Sequence, residues 1–371
     1  MVAGKILRIV PALKKVLAFG QPHFKRLNQQ AREIGVPLIF FAVFRRHLRR
    51  KGRLRAALLP RPGRAEAREI AMTAEPGGSD WDRRAAWGAA EATWRMVSRV
   101  DAVLVWNGSR GHGLMAAETA RRLGKTLIYI ENGFLPDTVQ IDLEGINYAS
   151  SLARLKPEDL AEAPPCDLSF RQRPLGRDTG LEASTVLPEG LPEGFVLYAA
   201  QVHDDTQIKR FSPDFLTVED AIRYAAAECA AAHLPLVVKE HPQDHGRIDR
   251  TALRAELPDV LFLENADNTA LIDACRAFVT INSSLALQAI AAEKPVITLG
   301  DAAYNLPGIA TRVRPPARLR DALAQPEVDP DLRRRYLAYL RNVALVPFNT
   351  RLATDEQLRA VATRIAELLS P

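Results

Sequence analysis

Cysteine is scarce in this chain. Cys166, Cys229 and Cys275 lie far apart among 371 residues, with no Cys-x-x-Cys pair and no histidine at zinc-ligand spacing. That argues against a disulfide framework and a structural metal site, and it suits a reducing cytoplasm. Long apolar runs are missing too. The longest, residues 36–44, is about half of the roughly 20 residues that a bilayer span requires. Lys14 and Lys15 interrupt the N-terminal apolar stretch, so no secretory signal is expected. Acid is nearly absent from residues 1–64, where 16 Lys and Arg face Glu33 alone, while the remainder is net acidic. The densest block, Arg45–Arg55, favours an anionic partner such as a membrane surface or an acidic acceptor, if it is more than a solvated helix face. No nucleic-acid-binding motif accompanies it, so nucleic acid is not the expected partner.

What is present is the composition of an ordinary globular protein, 47% hydrophobic and 25% charged, long enough for two cores of about 150 residues. Short apolar strands alternate with helical stretches in both halves. Strands are expected at 16–19, 36–41, 102–106 and 126–130, and again at 195–199, 236–239, 260–263, 277–281 and 295–299. This is the βαβ rhythm of parallel sheets. The fold class expected is α/β, two Rossmann-like doubly wound lobes facing a central cleft. The first lobe spans 1–155 and would hold the acceptor. Proline-rich 156–192 would connect it to a donor lobe at 193–330, and helices in 331–371 would pack back toward the first lobe.

In open α/β sheets ligands sit at the carboxyl ends of strands, so the residues after each strand carry the chemistry. Val237-Val238-Lys239-Glu240-His241-Pro242 runs into a turn where Pro242 fixes the chain direction and His241 can donate to a phosphate oxygen. Thr280-Ile281-Asn282-Ser283-Ser284 precedes an apolar helix, so its hydroxyls either cap that helix or join its free N–H groups as an anion site. Found in one lobe, the two segments favour a phosphate cradle. The segment from Gln201 through Asp204, Asp205 and Gln207 offers amides and carboxylates to sugar hydroxyls, or is a polar loop without a role. In the first half, Glu131 follows a strand and Asp142 lies close behind, with Asp137 as a rival. Two carboxylates are what glycosyl transfer with retention can use, although loop carboxylates are usually just solvated.

Taken in order, Glu131-Asn132-Gly133-Phe134, Gln140-Ile141-Asp142 with Gly145-Ile146-Asn147, Gln201 with Asp204-Asp205-Thr206-Gln207, Lys239-Glu240-His241-Pro242, Asn282-Ser283-Ser284 and Lys294 to Asp301 resemble the capsular-polysaccharide-synthesis family of bacterial retaining β-Kdo transferases. The resemblance covers about residues 100–310. It implies the GT-B fold, CMP-Kdo as donor and a capsular or lipopolysaccharide-type glycolipid or oligosaccharide acceptor at the inner face of the cytoplasmic membrane. It implies that His241, Pro242, Asn282, Ser283 and Ser284 bind the CMP phosphate region, with Lys239 and Glu240 beside the nucleotide. Asp142 would be the nucleophile, Glu131 the acid/base or orienting carboxylate, and Gln201, Asp205 and Asn147 sugar or acceptor contacts. Asn132 stands where relatives carry a second acid. No cofactor or divalent metal is expected, because hydrogen bonds and a helix dipole can compensate the leaving phosphate. Two other functions share this fold expectation: a sugar-nucleotide epimerase or hydrolase, and a non-catalytic glycan-binding protein of capsule assembly.

Overall fold

The computed structural model describes residues 16–19, 23–34, 38–40, 61–74, 80–161, 163, 187–203, 205–242, 244, 248–264, 266–314 and 316–370. Arg45–Arg55, Asp204 and most of the proline-rich connection lie outside the described residues. Two compact units emerge. The first contains residues 1–133, 137–146 and 345–371, and the second contains 134–136 and 147–344.

Unit 1 runs β1 (Val16–Phe19), α1 (Phe24–Glu33), β2 (Leu38–Phe40), α2 (Arg61–Ala74), α3 (Asp80–Val97), β3 (Ala102–Trp106), α4 (Gly111–Arg122), β4 (Thr126–Asn132) and β5 (Thr138–Asp142). Its sheet has the order β12-β5-β4-β3-β1-β2, where β12 is Leu345–Pro347 from far down the chain. β1 to β4 pair in parallel, while β5 is antiparallel to both β4 and β12. Alternation along β3 and β4 sorts the core onto two faces. Leu104, Ile128 and Ile130 join α1 and the last helix, while Val103, Val105, Leu127 and Tyr129 meet Ala116, Ala117 and Ala120 of α4.

Unit 2 contains β6 (Val196–Ala199), α5 (Thr206–Phe211), α6 (Val218–Ala231), β7 (Leu236–Lys239), α7 (Arg250–Glu256), β8 (Leu261–Leu263), α8 (Asn268–Ala274) and β9 (Ala277–Thr280). It continues with α9 (Ala286–Ala291), β10 (Val296–Thr298), β11 (Thr311–Arg312), α10 (Leu319–Ala324) and α11 (Pro330–Tyr339). The sheet order is β11-β10-β9-β6-β7-β8, parallel throughout. Such strands are buried on both faces, which is why β6, β7 and β9 read as unbroken buried runs.

Three features differ from the sequence-based expectation. Gln140–Asp142 is the end of strand β5 rather than part of a loop. The division falls at 147 and 345 rather than at 155 and 330: α11 belongs to unit 2, and only β12 and α12 (Asp355–Leu369) return to unit 1. Helix α2 was not expected at all; it packs with α3 through Ala67, Ile70, Ala71, Ala86 and Ala90. Among the described residues no helix is long and apolar enough to cross a membrane.

Candidate functional site

In unit 2 the strand order reverses between β6 and β9, and the crevice at such a switch point is where open α/β sheets bind ligands. The residues leaving these two strands are Gln201 and Asn282. Gln201 accepts from the Asn282 backbone N–H through Oε1 (3.0 Å) and donates through Nε2 to Asn282 Oδ1 (3.0 Å) and Asp205 Oδ2 (3.0 Å). Asn282 Nδ2 in turn donates to the Gln207 and Asp301 carbonyls at 3.2 and 3.4 Å. Asp205 caps α5 by accepting from the Gln207 N–H at 2.9 Å. Gln201 and Asn282 are buried, so satisfying both amides fixes the relative position of the two strand ends.

The backbone that follows is held equally firmly. Tyr304, fully buried, donates its hydroxyl to the Ser283 carbonyl at 2.7 Å. Burial drives this phenol well above its ordinary pKa, so it stays a donor. Ser283 Oγ accepts from the Leu285 N–H at 3.3 Å, and Ser284 is exposed. Neither serine is the side-chain cap of α9, whose N-cap residue is Leu285.

After β7 the parts separate. Lys239 is buried, and its ammonium donates to the Glu240 and Glu264 carbonyls at 2.7 and 2.9 Å, so it serves the backbone. Glu240 accepts from Arg254 at 3.1 Å. His241 and Pro242 are partly exposed at the strand tip. Asp244, buried, accepts from the His203 N–H and the Ile248 N–H, each at 3.1 Å, and thereby shapes the chain just past Pro242. A cavity of about 10 Å³ opens beside His241, lined also by Glu240, Asp244 and Phe262; it has room for one water.

Unit 1 places the two carboxylates on one face of a hairpin. Register pairs Glu131 with Gln140 and Tyr129 with Asp142, so all four share one face of the sheet and Glu131 and Asp142 are diagonal neighbours. Diagonal partners are about 7–8 Å apart, within the range over which long side chains converge. The hairpin closes at Gly133, where any Cβ would overlap Thr138 Oγ1, and at Asp137, which adopts a left-handed φ of 52°. Asp137 accepts from Asn349 Nδ2 at 3.0 Å and, through its carbonyl, from the Phe348 N–H at 2.7 Å. It therefore serves the turn and the returning C-terminal segment.

Asp142 is buried and accepts from the Glu144 and Gly145 N–H groups at 2.7 and 3.3 Å. Glu131 accepts from three donors: Asn107 Nδ2 at 2.6 Å, the Asn132 N–H at 2.8 Å and Asn132 Nδ2 at 3.1 Å. Asn147, in unit 2, has a left-handed φ of 53° and uses its carbonyl to accept from Ser150. Sequence reasoning missed Asn107, Tyr304 and Asp244. Asn107 had a visible signal in the Asn-Gly pair that ends β3; the other two are polar residues without a local pattern.

Two Rossmann-like α/β units in one chain place the protein in the GT-B class of folds. Residues 171–350 match the family model described as capsule polysaccharide biosynthesis protein. It is 33% identical over 283 residues to protein FixF of Sinorhizobium fredii (strain NBRC 101917 / NGR234), covering 71% of this chain and 64% of FixF. It is 28% identical over 128 residues to the capsule polysaccharide export protein KpsS of Escherichia coli, covering 32% of this chain and 33% of KpsS. The chain thus spans just under two thirds of one relative's length and a third of the other's. In structure it is similar to the Thermosulfurimonas dismutans KpsC β-Kdo 2,4 transferase, with a TM-score of 0.52 at 16% identity over 96% of this chain and 98% of that one.

Proposed function

We propose that the protein transfers Kdo, or a related acidic sugar, from its CMP ester to a capsular or lipopolysaccharide-type acceptor with retention at the anomeric carbon. The observation that carries this reading is the pair Glu131 and Asp142 on one face of the β4–β5 hairpin. In the first step an Asp142 oxygen attacks the anomeric carbon, the bond from that carbon to the phosphate oxygen breaks, and CMP leaves. In the second an acceptor hydroxyl attacks the same carbon, loses its proton to a base, and releases the Asp142 carboxylate. Two inversions return the original configuration. The match of residues 171–350 to the capsule polysaccharide biosynthesis family model supports a sugar-transfer role.

Unit 2 would hold the nucleotide. Its switch point presents Ser283, exposed Ser284 and the first turn of α9, with His241 at the tip of β7. Hydroxyls, an imidazole and backbone N–H groups compensate phosphate charge, and this reading requires no metal. Gln201, Asp205 and Asn282 act by shaping that switch point, and Asn147 remains an acceptor contact in the proposal. Arg45–Arg55 would hold the protein on the anionic inner face of the cytoplasmic membrane.

The deciding experiment is CMP release from CMP-Kdo by the purified protein with and without oligosaccharide acceptor. Acceptor-dependent release, abolished in Asp142→Ala while CMP still binds, is the expected result. Full activity in that variant removes Asp142 from the role of nucleophile. Turnover of a UDP-sugar without acceptor would instead favour the epimerase or hydrolase reading.

A further inference from the structure

We infer that Asn107 is a positioning residue that orients Glu131, so that Glu131 serves as the base of the second step and not as an acid in the first. The inference rests on the transferase reading above. Glu131 accepts from three donors: Asn107 Nδ2 on Oε2, and the N–H and Nδ2 of Asn132 on Oε1. The three bonds engage both carboxyl oxygens, so the group is held in one orientation.

Asn107 is itself fixed from three directions. Its backbone lies in the left-handed region at φ 64°, its N–H donates to the Ile130 carbonyl at 2.8 Å, and its Oδ1 accepts from the Ser109 N–H at 3.0 Å. With Oδ1 so engaged, the amide nitrogen is the atom that faces Glu131. Gly108, next in the chain, packs so closely on the Tyr129 ring that a Cβ there would lie 2.9 Å from it. The Asn-Gly turn is therefore seated over the same hairpin face that carries Glu131 and Asp142.

The chemistry agrees with the geometry. A phosphate monoester leaves as an anion whose second pKa is about 6, so expelling CMP needs no proton from the enzyme. The acceptor hydroxyl, in contrast, must lose a proton as its oxygen bonds to the anomeric carbon and the bond to Asp142 breaks. Glu131 receives that proton. A positioned base is therefore needed in the second step alone.

Two substitutions isolate the contact. Asn107→Gly tolerates the left-handed backbone and deletes the amide. Asn107→Asp also tolerates that backbone and keeps the oxygen that binds the Ser109 N–H, but offers Glu131 no donor. Melting temperature and CMP affinity should stay near wild type in both, which separates a positioning role from a folding one. Given CMP-Kdo and acceptor, each variant should release CMP in a burst of one equivalent per enzyme, then turn over about tenfold to a hundredfold more slowly. Intact-protein mass spectrometry should show the Kdo–enzyme adduct accumulating, and azide, a nucleophile with no proton to lose, should restore turnover. If the first release of CMP and the overall transfer slow equally, if no adduct accumulates, or if both variants turn over normally, the assignment is overturned. Wild-type protein that releases no CMP from CMP-Kdo overturns the transferase reading and this inference with it, and that outcome is visible before any substitution is made.

Discussion

At the scale of single residues, buried Asn282 and exposed Ser284 carry opposite expectations although they lie two positions apart. Asn282→Ala deletes the partner of a buried Gln201 amide and two further donations to carbonyls. Leaving such groups unsatisfied costs about 1–3 kcal/mol, so a clear drop in melting temperature is expected. Ser284→Ala removes an exposed hydroxyl; stability should hold within about 0.5 kcal/mol while calorimetry reports several-fold weaker CMP binding. Sequence reasoning placed Gln201 and Asn282 just past strand ends, where polar residues cluster. It did not distinguish exposed residues from those that hold the strand ends to each other, because burial and partner are three-dimensional properties. Lys239 shows the same limit: one position from Glu240 and two from His241, it turns inward to two carbonyls.

At the scale of elements, α11 is fastened by one buried cation. Arg333 donates from Nε to the Gly308 carbonyl at 3.2 Å, and from its terminal nitrogens to the Lys294 and Ile309 carbonyls at 2.7 Å each. Burial pulls its guanidinium down to about 10, still a cation at neutral pH. Arg333→Met should fill the volume yet strand three carbonyls, lowering stability by about 3 kcal/mol, measurable by urea denaturation. The elements that the sequence announced were those with period and length, such as β3, α4 and the buried strands of unit 2. β5 escaped because Thr-Val-Gln-Ile-Asp is short and ends in a charge, and its signal lay in its flanks, Gly133 and Asp137, which close the hairpin. That miss concealed the most informative relation in the site, since the strand register is what puts Glu131 and Asp142 on one face.

At the scale of the molecule, unit 1 depends on its returning segment. β12 pairs with β5 at Leu345–Gln140 through Pro347–Thr138, and α12 buries Leu358, Val361, Ala362, Ile365 and Ala366 in the core shared with Ile128 and Ile141. Deleting residues 345–371 should leave unit 1 without a cooperative unfolding transition while unit 2 keeps slow hydrogen exchange along β6, β7 and β9. A pH effect is expected as well. Burial pushes the Cys229 thiol up to about 12 and the Cys275 thiol up to about 11, from an ordinary value of 9. Raised acids contribute stability that is complete below pH 9 and lost as pH climbs toward those values. Melting temperature should therefore fall through that window, and fall less steeply in a Cys229→Ala, Cys275→Ala double variant. The sequence foresaw two units and their α/β plan; the exact seams eluded it because a helix pattern does not say which core the helix joins.

Unit 2 sits, in chain order, between the main body of unit 1 and the segment that completes it. During synthesis, residues 1–146 emerge first but lack the partner for the free edge of β5 and the cover for one face of their sheet. All of unit 2 has left the ribosome before residues 345–369 supply both. The usual order of co-translational folding, first made and first folded, is thus reversed: the unit translated later is complete earlier. The hairpin with its two carboxylates must wait, with an unpaired strand edge of the kind that invites misassembly, until residues 345–369 have been made.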